Sequence, residues 1–573
     1  AVQSPVVMDK FDGDVDVTLV MDGATPERQW TEKEIAALKP EQYKDVFKVP
    51  GSFNETWNHP CSFQQKKWRD GFRKEVAKMD QHKVWKLVKR SSMPKGRRPI
   101  KSKWVLEIKR DGTFKCRLVG CGYSQIGDID FEEIYNAVAN DVTFRILLTA
   151  KMVLKKECGV FDIETAFLNA DADKELYMEV PQGVEAGEDE VAMLLKAIYG
   201  TVQAARAFGQ LFAKIMRKIG FKQSSADPCL FIRKDENGIV FVIIYIDDGF
   251  FVGDRPAIDI MVTQLEGEGL KLKVKHNMED YLSCQVKFNK DGRRAWLGQP
   301  HMIKKIESSF GEEARSARLG KTPGTPGQIL NRPQKGEEAL PADKQRCLRS
   351  GVGMLLCLVK HSRPDIANAV RELTKCMDLG TPVAHKELLK VVKFVLHTKD
   401  LGLKMYPNIN FEALLWELLL LSDSDHAGDK LSRMSISGFI MFLCGVPIMW
   451  RSKAQKIVAL SSTEAEFYAV SEAVKEILFV VQVLLDMGIP VKTPITVKVD
   501  NMGAVFMVNN ATSSARTRPI DTRWHFVRQF QGELIEVVFV RSEDNWSDGM
   551  TKNVSSDIYV SHSGHMVVSN EEV

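Results

Sequence analysis

Apolar residues run without a break from Ile239 to Ile246 and stop at Asp247-Asp248. A second short apolar run, Gly249-Phe250-Phe251-Val252-Gly253, follows at once. Strand, acidic turn and strand predict a β-hairpin with both aspartates at its tip. Upstream, Trp68, Phe72, Val76 and Met79 recur at three- and four-residue spacing and predict a helix. Residues 84–88, 103–109 and 161–170 read as strands, with a hairpin turning at Asp111-Gly112. Ile303, Ile306 and Phe310 place a basic helix over 300–320, and residues 349–367 and 385–397 read as helices. Between them, residues 322–341 are rich in Pro and Gly, the best linker candidate. From about residue 412 the texture becomes that of a separate α/β domain. Strands at 418–425, 437–443, 446–450 and 495–501 alternate with a long helix opened by Ser461-Ser462-Thr463-Glu464 and an acidic helix start at 543–552. Residues 1–56 show little periodicity and read as a partly ordered leader, and residues 555–573 read as a polar, flexible tail.

Composition narrows this picture. A chain of 573 residues predicts three or four domains. An apolar content of 44% and a charged content of 27% describe an ordinary globular protein. Net charge is only +4, so a nucleic-acid surface would have to come from local basic clusters such as 86–90 and 95–103. The ten cysteines are scattered with no Cys-x-x-Cys pair, which argues for reduced thiols in an intracellular protein. No apolar stretch approaches the ~18 residues that span a bilayer, so no membrane partner is expected. The chain begins with Ala, as expected of a piece cut from a longer polyprotein.

The chemistry lies in carboxylates at strand ends. An Asp-Asp pair alone is most often a solvated turn. Here Asp162 lies in another strand-like run, and three carboxylates converging on one sheet face can hold two divalent cations for phosphoryl transfer. Asp423, Glu464, Asp500 and Asp548 form a second set, each at a strand end or in a first helical turn. Any one of them alone is more often a helix cap. Gathered at one sheet edge, they could bind two Mg²⁺ ions.

Residues 161–170, 196–200 and 245–248 stand in the order and spacing of the copia-type retrotransposon reverse transcriptase, and the resemblance runs from about Trp57 to about Val554. It implies a multidomain α+β and α/β chain: a right-hand polymerase with fingers, palm, thumb and connection, followed by a ribonuclease H-like domain. The expected divisions are fingers and palm at 57–290, thumb and linker at 291–345, connection at 346–411 and ribonuclease H at 412–554. The resemblance assigns Asp162, Asp247 and Asp248 to polymerase catalysis and Asp423, Glu464, Asp500 and Asp548 to RNA cleavage, each set holding two Mg²⁺ with Mn²⁺ as a substitute. It carries nucleotide binding onto Arg117, Lys115 and Lys109, onto Phe167 beneath the sugar, and onto Gln203. Residues 461–467 and 516–528 are its most specific matches in the nuclease part, and they include His525 as a substrate or core contact.

The sequence departs from the family pattern at Gly120-Cys121-Gly122, Ala205, Phe208, Ser283-Cys284, His426 and Arg518-Pro519. At Ser283-Cys284 the family has a Leu-Gly turn that holds the primer end, so weakened primer handling is expected there. Expected partners are an RNA template, a DNA primer, RNA–DNA hybrid, dNTPs and other parts of the polyprotein, with oligomeric state open. The expected location is cytoplasmic, in virus-like particles, with nuclear entry open. The rival reading is a degenerate or domesticated copy that binds nucleic acid without polymerising.

Overall fold

The structure is a computed structural model and describes residues 30–276, 278, 281–409, 415–429, 431–510 and 521–573. The chain forms two compact units, each assembled from separated stretches. One comprises the described residues within Ala1–Val138, Ile163–Ile219 and Leu265–Lys271; the other comprises those within Ala139–Asp162, Gly220–Gln264 and Leu272–Val573.

In the first unit, the helix Ser62–Gln81 buries Trp68, Phe72, Val76 and Met79, the residues whose spacing predicts it. They pack on a two-stranded hairpin, Ser102–Ile108 with Phe114–Gly120, where the Trp68 and Phe114 rings meet edge to face at 4.7 Å. A three-stranded antiparallel sheet, in the order Trp85–Lys89, Glu190–Lys196, Asp171–Met178, completes this unit. Part of the expected leader belongs to the same core: Ile35, Phe47 and Phe53 are buried in it.

Among the described residues, the second unit carries three sheets and a helical bundle. Its first sheet is six-stranded, in the order Leu272–Lys275, Glu157–Ile163, Asp248–Gly253, Gly238–Tyr245, Leu230–Asp235, Lys222–Gln223. The helix Asp141–Val153, capped by the Asn140 side chain accepting from Val142 N, lays Phe144 against Phe250 of that sheet, ring centres 5.0 Å apart. The helices Pro300–Arg315, Ala342–His361, Ala367–Thr374 and Pro382–His397 share one apolar core. A five-stranded sheet runs Val446–Ala454, Ile436–Leu443, Leu418–Asp425, Ile495–Val499, Ile535–Phe539. Its first three strands are antiparallel, and the last two run parallel to the central one. The crossover between the two senses is the helix Ser462–Asp486. Every residue of Ile436–Leu443 is buried, which is why that strand reads as a nearly unbroken apolar run.

Three expectations are corrected. The expected division 57–290 does not form one unit: the strands bearing Asp162 and Asp248 group with the C-terminal half of the chain. The Pro/Gly-rich segment does not separate the units; Leu330 is buried, its N–H donates to Glu372 Oε2 at 2.8 Å, and Thr325 donates to Glu387 at 2.7 Å. The C-terminal segment is no loose tail. It forms the helix Ser556–Ser563 and the strand Val567–Ser569, which pairs with Leu401–Met405, because Met566, Val567 and Val568 give it an apolar side to bury. Among the described residues no helix is long and apolar enough to cross a membrane.

Candidate active sites

Sheet register positions the first carboxylates. Asp248 pairs with Tyr245 across the hairpin and with Asp162 across the next strand, so Asp162 and Asp248 stand directly opposite. Opposed residues of adjacent strands share a sheet face, with Cβ atoms roughly 5 Å apart. Ile246 and Asp247 form the two-residue tip. Ile246 has φ +60° and Asp247 does not have positive φ, the II′ form that favours glycine at its first position. A β-branched residue held there stores roughly 1–3 kcal/mol of backbone strain. Gly249 locks the register: a Cβ there would lie 2.1 Å from the Phe161 ring, which covers the glycine from the paired strand. Asp162 is exposed, and Asp247 and Asp248 are half-buried. The three carboxylates are not drawn into a single knot of atoms like the second cluster below.

Below the hairpin, Tyr281 is buried against Phe144 and Phe250. Burial, then the nearby Asp248 charge, holds its phenol well above the ordinary range. Tyr281 and Cys284 exchange both backbone hydrogen bonds at 2.9 Å around Leu282-Ser283. Both turn residues have positive φ, +50° and +65°. The turn is centred on Leu282-Ser283, one residue before the Ser283-Cys284 pair singled out in the sequence, and is built without the glycine that makes it cheap.

The nucleotide-binding candidates lie in the other unit. The Arg117 guanidinium sits 4.4 Å over the Tyr199 ring, and Phe167 meets Tyr199 edge to face at 4.7 Å. Arg117, Tyr199 and Phe167 therefore form one cation–aromatic stack, and Tyr199 is a member that sequence reasoning did not single out. Lys115 shares the Arg117 face of its strand, and burial followed by the Arg117 charge lowers its pKa. Lys109 is exposed at the hairpin end. Gln203 is buried and already engaged: its amide accepts from Gln125 at 2.9 Å and donates to the Asp130 carbonyl at 3.3 Å. Gly120 and Gly122 donate backbone N–H groups to Tyr199 and Gly200 carbonyls, at 2.8 and 3.0 Å, fixing the loop that carries Tyr199.

The second cluster is assembled by packing. Asp423 lies near the end of the central strand of the five-stranded sheet, Asp500 follows a parallel neighbour, and Asp548 opens the short helix Asp548–Thr551. Gly438, opposite Asp423, lets that helix approach: a Cβ there would come within 2.6 Å of Thr551 and 2.7 Å of Met550. One ligand oxygen from each of Asp423, Asp500 and Asp548 then lies within 4.8 Å of the others. Thr551 donates to Asp423, Ser542 donates to Asp500 at 2.8 Å, and Lys552 Nζ stands 3.2 Å from Asp548.

Glu464 is not the fourth member. Its carboxylate accepts from Leu460 N at 2.7 Å, and its own N–H donates to Ser461 Oγ, so it closes the helix N-terminus. Two residues on, about 200° around the helix, Glu466 points inward, 5% exposed, accepting from Ser424 N at 3.0 Å. Burial, then the charges of Asp423 and Asp500, push Glu466 up to about 9. Burial, then Asp548, pushes Asp423 up to about 7. The missed signal was periodic: Glu466 continues the buried face of Ala469, Val470 and Ala473. Glu466 Oε2 and Asp548 Oδ1 are buried without a hydrogen-bond partner. Like charges gathered around orphaned oxygens, all hard donors, fit a divalent cation. His525 is exposed on the helix Asp521–Arg528, and residues 516–520 of the matching run lie outside the described residues.

Residues 82–311 match the family of the reverse transcriptase (RNA-dependent DNA polymerase). The chain is 31% identical over 520 residues to the Retrovirus-related Pol polyprotein from transposon TNT 1-94 of Nicotiana tabacum, covering 88% of this chain and 38% of that protein. With the Retrovirus-related Pol polyprotein from transposon RE1 of Arabidopsis thaliana it shares 28% identity over 504 residues, 86% of this chain and 33% of the relative. The chain thus spans about a third of the length of these curated relatives. Among solved structures, a foamy viral protease-reverse transcriptase in complex with double-stranded DNA aligns at 12% identity and a TM-score of 0.49, over 83% of this chain and 70% of that one.

Proposed function

Because the chain belongs to the copia-type retrotransposon Pol family, we propose that it copies RNA into DNA and cleaves the RNA of the resulting hybrid. The observation that carries the first activity is the opposition of Asp162 and Asp248 beside the strained Ile246-Asp247 tip. Asp162, Asp247 and Asp248 would hold two divalent cations, Mg²⁺ with Mn²⁺ as a substitute. Bound there, such ions would supply the charge that favours an ionised primer 3′-hydroxyl and a departing pyrophosphate. In the proposed reaction the 3′-oxygen would bond to the α-phosphorus as the bond to pyrophosphate breaks, the hydroxyl proton passing to solvent. In the other unit, Arg117, Lys115 and Lys109 offer the cationic donors a triphosphate needs, and Phe167 a ring of the kind that opposes a 2′-hydroxyl.

For the second activity, Asp423, Glu466, Asp500 and Asp548 would hold the cations. Such cations would supply an activated water for attack on the RNA phosphorus, the bond to the 3′-oxygen breaking and that oxygen taking up a proton from solvent. The chain's own part is placement, with Thr551 and Ser542 orienting two of the carboxylates. Template, primer and hybrid would be gripped through their backbones without regard to sequence. The setting would be a cytoplasmic virus-like particle alongside other parts of the polyprotein.

Primer extension on an RNA template with Mg²⁺ and four dNTPs tests the polymerase, wild type beside Asp247→Asn. Extension by the wild type and its loss in the variant are expected; extension that survives Asp247→Asn overturns the assignment. The left-handed Leu282-Ser283 turn favours one second reading, a copy that binds nucleic acid without extending primers. A wild type that binds hybrid yet extends nothing would select that reading.

A further inference from the structure

Away from both acidic clusters, three helices of the bundle bring together a carboxylate, a thiol and an imidazole. Glu313 comes from Pro300–Arg315, Cys347 from Ala342–His361 and His385 from Pro382–His397. One ligand atom from each lies within 4.8 Å of the others. Cys347 Sγ stands 3.8 Å from Glu313 Oε2, and His385 Nε2 stands 3.5 Å from Glu313 Oε1. Zinc bonds of about 2.0–2.3 Å in a tetrahedron put neighbouring ligand atoms roughly 3.3–3.8 Å apart. Both separations from the carboxylate fall in that range, and the third pair lies within 4.8 Å.

A second observation points the same way. His385 Nε2 is buried and makes no hydrogen bond, although its side chain is only 12% exposed and it faces the carboxylate. A helical-bundle histidine packed for its own sake would find a partner for that nitrogen. Lys344 also donates to Glu313 Oε1, and the Cys347 thiol donates to Oε2, the proton a metal would displace. Cys347 is half-buried, so solvent reaches the cluster.

We propose that Glu313, Cys347 and His385 form a binding site for a zinc-class divalent cation that clamps the first helix of the bundle to the other two. Sulfur, nitrogen and oxygen donors together select zinc over Mg²⁺. Binding releases the thiol proton to solvent, and water completes the fourth position. The site is independent of both nucleic-acid activities.

The test is Co²⁺ titration of the chelator-stripped full chain in excess Mg²⁺. Expected are visible bands of tetrahedral cobalt and a near-ultraviolet sulfur-to-cobalt band, saturating at one Co²⁺ per chain and erased by Zn²⁺. Cys347→Ser should abolish the sulfur band, His385→Gln should weaken binding at least about tenfold, and Cys357→Ser, on the same helix, should leave both unchanged. Zn²⁺ should also raise the melting temperature of the wild type but not of Cys347→Ser. Absence of a sulfur band, or a band that survives Cys347→Ser, overturns the site and leaves a polar contact centred on Lys344.

Discussion

The two acidic clusters lie in one compact unit and are built in opposite ways. At the hairpin, the backbone does the placing: strand register opposes Asp162 to Asp248, and a strained two-residue tip carries Asp247. The carboxylates stay accessible to water. At the end of the central strand of the five-stranded sheet, packing does the placing: Asp423 is 2% and Asp548 3% exposed, and a helix and a neighbouring strand bring up Glu466 and Asp500. The first cluster stores strain in its backbone, the second in the desolvation and mutual repulsion of its charges. Removing a carboxylate should therefore cost the first site function and little stability. In the second it should cost function while relaxing the metal-free fold.

The largest effects separate the two sites. Asp162→Asn is expected to lower primer extension at least about a hundredfold, with hybrid cleavage and melting temperature unchanged because the side chain is exposed. Glu466→Gln should lower hybrid cleavage by a similar factor, whereas Glu464→Gln should keep cleavage within a few-fold and lose only about 0.5–1 kcal/mol of helix capping in a urea titration. Cleavage lost in Glu464→Gln and kept in Glu466→Gln would reverse the assignment.

Next is Gly249→Ala. The added methyl meets the Phe161 ring at 2.1 Å, so unfolding free energy should fall by about 1–3 kcal/mol and extension should fall with it. The pH dependence follows in size. Asp423 and Glu466 have folded pKa values raised to about 7 and about 9. Their protonated forms are favoured by the fold, so their contribution is complete below about pH 4. It is lost as pH rises through 7 and then 9. In chelator, the melting temperature should therefore decline between pH 5 and pH 9, and Glu466→Gln should flatten the upper part of that decline. Divalent cation should counter it in the wild type. The smallest effect is Ser283→Gly, which relieves a left-handed serine at φ +65° and should add about 1 kcal/mol in urea titration.

What the sequence disclosed followed the strength of its periodic signals. The Asp247-Asp248 hairpin, the helix bearing Trp68 and Phe72, and the strands ending at Asp423 and Asp500 are legible because long apolar runs end at charges. The sequence points to Glu464 because a capping pattern and an inward carboxylate look alike in one dimension; only the face of the helix separates it from Glu466. Tyr199 escaped notice because its role lies in contacts with Arg117 and Phe167, 82 and 32 residues away in the chain. The C-terminal strand escaped because its three-residue pairing with Leu401–Met405 is too short to leave a pattern. The grouping of the hairpin strands with the C-terminal half reflects long-range packing that no local signal records.

The central claim is that two separately built carboxylate sites serve two separate reactions. Its most direct test measures RNA-templated primer extension and hybrid cleavage on the same preparations of wild type, Asp162→Asn and Glu466→Gln. The account predicts a double dissociation: Asp162→Asn loses extension and keeps cleavage, and Glu466→Gln loses cleavage and keeps extension. Loss of both activities in either folded variant, or of neither in both, would contradict it.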